Sequence, residues 1–105
     1  MAWIYLTLAG VLEIGWAIGL KYTHGFSRLW PSVATICAMA ASFALLAAAL
    51  KTIPVGTGYA VWTGIGAAGT ALLGMVLFEE SRDFLRFLCI LLIVAGVVGL
   101  KFAPD

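Results

Sequence analysis

The chain has 105 residues, of which 64% are hydrophobic and only 10% charged, with a net charge of +1 and a mean hydropathy of +1.12. Soluble domains are nearer half apolar and a quarter charged, so this inventory excludes a water-soluble core with a polar shell, and it offers no basic surface for nucleic acid. The solvent of the folded chain is a bilayer.

Crossing about 30 Å of hydrocarbon takes roughly 20 helical residues. Four stretches qualify, about 3–20, 31–50, 54–78 and 84–102, so the sequence predicts an all-α integral membrane subunit of four transmembrane helices forming a single domain over 1–105. The first stretch follows Met1-Ala2 without a basic n-region and contains a glutamate, which reads as a retained helix rather than a leader. That glutamate, Glu13, has Ala9, Gly10, Trp16 and Ala17 three and four residues away. Small neighbours leave room beside the carboxylate, and Trp16 offers an indole N–H and a ring face for a cation. Gly15 and Gly19 form a GxxxG pair on another side of the helix, suited to close packing. His24, in the following loop, reads as a solvated residue.

Pro31 stands in the first turn of the second helix, whose notable polar group is Ser42. A membrane serine bonds back to its own helix or faces a ligand or Glu13, and the sequence leaves these open. After Pro54 the third helix carries Tyr59 and Trp62 one turn apart, with Thr63 and Gly66 continuing their stripe. Trp62 suits a cavity wall, whereas Tyr59 also suits an interfacial anchor. The run Gly64-Ile65-Gly66, then Gly69 and Gly74, weakens this helix and predicts a bend at Gly64 and Gly66, with plain packing as the alternative. Asp83 is placed to cap the fourth helix, where Ala95, Gly96 and Gly99 make a small-residue seam that reads as a helix interface. Cys37 and Cys89 lack metal spacing and read as small buried hydrophobes.

Of the five acids, Glu13 alone lies near mid-span. An ionised side chain there costs on the order of 3 kcal/mol on insertion scales, which brings its neutral and charged forms close enough to exchange at cellular pH. The alternative is a carboxyl that stays protonated and only hydrogen-bonds between helices. Basic residues on the two sides are nearly balanced: Lys21, Arg28, Arg82 and Arg86 against Lys51 and Lys101. So weak a bias permits insertion both ways round. Two copies inserted in opposite directions would generate the inverted symmetry that alternating access uses.

Glu13, Leu20-Lys21, Gly25-Phe26-Ser27-Arg28-Leu29, Pro31-Ser32 and Tyr59-Ala60-Val61-Trp62-Thr63-Gly64-Ile65-Gly66 together resemble the small multidrug resistance family over nearly the whole chain. The resemblance implies an antiparallel, dual-topology homodimer in a prokaryotic inner membrane that exchanges protons for an organic cation. Glu13-Ile14-Gly15-Trp16 is similar to the guanidinium-exporter branch, with Glu13 as the shared proton and cation site and Trp16, Ser42, Tyr59 and Trp62 around it. Gly58 stands where alanine is common beside the tyrosine, a departure that touches only cavity shape.

Guanidinium is a planar cation rimmed with N–H donors, and it asks for a carboxylate, a further acceptor and aromatic faces. A quaternary ammonium asks mainly for charge and an aromatic or apolar wall, so export of such cations is the alternative. A proton-ring or accessory membrane subunit is the alternative from another class. No catalytic residue, cofactor, metal or nucleic-acid partner is expected.

Overall fold

Lipid offers no hydrogen bonds to a backbone, so the four apolar segments become helices. In a computed structural model, which describes residues 1–104, these are α1 (Ala2–Tyr22), α2 (Leu29–Ala49), α3 (Val55–Leu77) and α4 (Phe84–Phe102). All four are long and apolar enough to cross a membrane. Two starts differ in detail from the sequence expectation. α2 begins two residues ahead of Pro31, which sits in the first turn where a missing N–H leaves no bond unmade. Asp83 does occupy the N-cap position of α4, but its side chain makes no capping hydrogen bond.

α1 lies between α2 and α3, and α4 packs on α3, giving a layer about 17 Å thick in its thinnest direction. The helices alternate in direction: Lys21 Nζ lies 4.8 Å from the Phe78 ring centre at one end, and Lys101 Nζ lies 5.7 Å from that of Trp3 at the other. The chain exposes 6504 Å². A compact soluble chain of this mass would expose about 5,700 Å².

Polarity is turned inside out relative to a soluble domain. Leu6, Ala9, Ala49 and Val61 are buried together with Thr23, Ser32, Thr35 and Ser42, while Leu91, Leu92, Val94 and Val98 of α4 face outward. Lipid is as apolar as leucine, so what belongs inside is small or hydrogen-bonding. The same reasoning corrects the cysteines: Cys37 and Cys89 are both exposed, because an apolar thiol has no cause to leave a lipid-facing surface. His24 is exposed in its loop as expected.

Gly19 of the GxxxG pair lies against the Thr35 side chain of α2, whereas Gly15 has open space beside it. The α4 seam is likewise open, since a Cβ at Gly96 or Gly99 would meet nothing within 4 Å. At the loop end of α3, Arg82 Nη2 donates to the Met75 carbonyl at 2.9 Å and Arg86 Nη2 to the Ala71 carbonyl at 3.0 Å. Two cations thereby meet the negative end of the helix.

Candidate functional site

Three helices are joined at one hydroxyl. Ser42 Oγ donates to the Ala9 carbonyl of α1 at 2.6 Å and accepts the indole N–H of Trp62 of α3 at 3.0 Å. The serine therefore bonds neither to its own helix nor to Glu13, but braces the turn of α1 that precedes Glu13. All three groups are buried, so each bond replaces one that lipid cannot supply.

Around this junction runs a row of rings: Trp16 to Phe43 at 6.2 Å between centroids, Phe43 to Trp62 at 5.7 Å and Trp62 to Tyr59 at 5.6 Å. Trp16 Nε1 is buried without a hydrogen-bond partner. Tyr59 is exposed, and Trp62 only 7% so. Beside Tyr59, the methyl that Gly58 lacks leaves its place to the Leu50 side chain.

Glu13 sits a helical turn away from the row. Its carboxyl lies on Gly66, where a Cβ would fall on the carboxyl atoms, and its Oε1 is buried with no hydrogen-bond partner. A cavity of about 460 Å³ runs from it past Thr63, Thr70 and Ala71 to Lys21, Phe78, Glu80 and Arg86. None of Trp16, Ser42, Tyr59 or Trp62 lines this cavity. Within one chain, then, the expected cage of five resolves into a carboxylate in a cavity and a neighbouring aromatic row braced by Ser42.

Gly66 makes room for Glu13, and Gly64 makes room for Val97 of α4. α3 is helical from Val55 to Leu77 through both. Among the described residues no group of His, Cys, Asp and Glu is placed to hold a metal ion.

Sequence reasoning missed Phe43, although it is the one aromatic residue within the small-residue run of α2 and adjoins Ser42. It also missed Thr70, whose Oγ1 is buried without a partner in the Glu13 cavity and whose signal was its four-residue spacing from Gly66. Replacing Ser42 with Ala should orphan the buried Trp62 N–H and lower stability by about 1–3 kcal/mol. A fall in the thermal midpoint in detergent, read by tryptophan fluorescence, checks this.

Four membrane-spanning helices around one mid-span acid, with a cavity leading from that acid to one membrane end, define a small multi-pass membrane transporter. The chain belongs to the small multidrug resistance family, whose Small Multidrug Resistance protein model matches residues 1–93. It is 64% identical over 103 residues to a guanidinium exporter of Yersinia pseudotuberculosis, covering 98% of this chain and 99% of that one. It is 60% identical over 103 residues to guanidinium exporters of Escherichia coli (strain K12) and Salmonella typhimurium, covering 98% of each chain. It is a multi-pass protein of the bacterial inner membrane.

Proposed function

We propose that the chain exports guanidinium and small substituted guanidinium ions in exchange for protons. The observation that carries this is the Glu13 carboxyl, held on Gly66 in a cavity with one oxygen buried and unpartnered. An anionic oxygen there lacks the donor that a guanidinium N–H would supply, and a proton satisfies the same oxygen. One carboxyl with two mutually exclusive partners couples their movements. That its relatives are guanidinium exporters supports the cation, and family membership sets aside a proton ring or accessory subunit.

Deprotonated Glu13 binds the cation in its cavity, beside the row of Trp16, Tyr59 and Trp62 that Ser42 braces, and protonation from the other side expels it. Gly64, which makes room for Val97 of α4, and Gly66, which makes room for Glu13, are where that helix bends as access alternates. The working unit is an antiparallel, dual-topology homodimer. A layer only about 17 Å thick and an open Ala95, Gly96, Gly99 seam support a second copy. Quaternary ammonium export remains the second reading because the aromatic row suits a cation without N–H groups.

Liposomes holding the reconstituted protein should take up guanidinium when a proton gradient is imposed. Uptake of tetramethylammonium alone would overturn the choice of substrate. Competition also fixes the pH dependence. Below the midpoint of the carboxyl's titration, guanidinium affinity should fall about tenfold per pH unit, and above it affinity should level off. Tryptophan-fluorescence titrations across pH 5–9 measure this, and an affinity flat over the whole range would sink the competition.

A further inference from the structure

The cavity that holds Glu13 ends at a second carboxylate. Gly66, Thr70 and Gly74 follow at four-residue spacing along α3 and mark successive turns of one face. Glu13 lies on the first of them, and Glu80 lies on the third in the same manner, since a Cβ at Gly74 would fall on its carboxyl. At about 1.5 Å rise per residue, the two carboxylates are set roughly 12 Å apart along α3. Between them stands the buried, unpartnered Thr70 Oγ1.

The outer carboxylate already holds a guanidinium group. Arg86 Nη2 donates to Glu80 Oε1 at 2.7 Å and to the Ala71 carbonyl at 3.0 Å. One carboxylate oxygen and one carbonyl oxygen converging on a guanidinium nitrogen is the donor-acceptor match a free guanidinium ion requires. The hold is incomplete. Both bonds use a single nitrogen, Arg86 Nε is buried without a partner, and the paired side chains are 28% and 43% exposed. Water-screened pairs without a two-pronged fork are weak and open readily.

We propose that Glu80 and the Ala71 carbonyl form an outer guanidinium site, with Arg86 as a tethered occupant that a passing ion displaces. Thr70 Oγ1 offers an acceptor on the way, so the ion moves between Glu13 and the membrane end in hydrogen-bonded steps. Arg86 competes with the ion for Glu80, which keeps the outer site from trapping it. This rests on the guanidinium-export reading.

The test is proton-driven guanidinium uptake into liposomes by the reconstituted full-length protein, comparing KM for the wild type, Arg86→Ala and Glu80→Gln. Removing the competitor should lower KM three- to tenfold, whereas removing the acceptor should raise it by a similar factor. A bridge that is merely structural predicts the opposite pattern, a shift of both variants in one direction, since each breaks the same pair. Such a common shift, or no shift in either, overturns the outer site. Because Arg86 also caps α3, Arg86→Gln serves if the alanine variant does not fold. It keeps a donor for Ala71 and loses the charge, and its KM should fall likewise; an unchanged KM overturns the proposal. A wild type giving no guanidinium uptake would overturn the export reading itself, an outcome distinct from unchanged KM values in a working transporter.

Discussion

Glu13→Gln should fold, assemble and insert as the parent does, yet move no guanidinium under a proton gradient. Glutamine keeps the length and most of the shape of glutamate, so the close seat on Gly66 survives. It cannot ionise, and a neutral amide attracts a cation far less than a carboxylate does. Hydrogen bonds to a charged group contribute about 1.5–3 kcal/mol. Losing that, together with the charge, should weaken guanidinium binding about 100-fold or more. Coupling should disappear altogether, because no proton is left to exchange. The checks are size-exclusion elution in detergent, tryptophan-fluorescence titration with guanidinium, and uptake into acid-loaded liposomes. Persistent proton-driven uptake would show that another group carries the proton.

The architecture was legible because lipid imposes a single solution on each long apolar run, and the four helices lie within two residues of where hydropathy ended them. Glu13 was legible for a related reason: a carboxylate at mid-span is costly enough to need an explanation. Cys37 and Cys89 were misread because burial habits drawn from water-soluble proteins do not hold where the outside is also apolar. Ser42 was ambiguous because a hydroxyl's partner is decided by which helix comes beside it, and the approach of Ala9 and Trp62 is a tertiary fact. Phe43 escaped notice because its neighbours Trp16 and Trp62 come from α1 and α3. Arg86 was read only as one basic residue in the balance between the two sides and Glu80 drew no reading, since sequence spacing does not reveal that both reach the Glu13 cavity.

Gly66→Ala should separate function from folding, and its contrast with Gly10→Ala makes the point measurable. Both glycines sit where helices approach closely, but different atoms would have to yield. A Cβ at Gly10 of α1 would lie 2.7 Å from Ile65 Cγ2 and 2.8 Å from Ile65 Cβ. A β-branched side chain has little freedom at χ1, so α1 and α3 must separate, and overpacking of this kind costs about 1–3 kcal/mol. Gly10→Ala should therefore lower the thermal midpoint in detergent. At Gly66 the atoms in the way belong to the Glu13 carboxyl, the free end of a flexible side chain. It can swing aside with little loss of stability, but it then leaves the position from which it meets the cation. Misplacing a reacting group by about 1 Å can cost on the order of 100-fold in rate. Gly66→Ala should accordingly keep its thermal midpoint and lose about 100-fold in guanidinium export measured by liposome uptake. If it instead melts early and transports normally once folded, Gly66 is a packing residue and the seating of Glu13 on α3 has no part in transport.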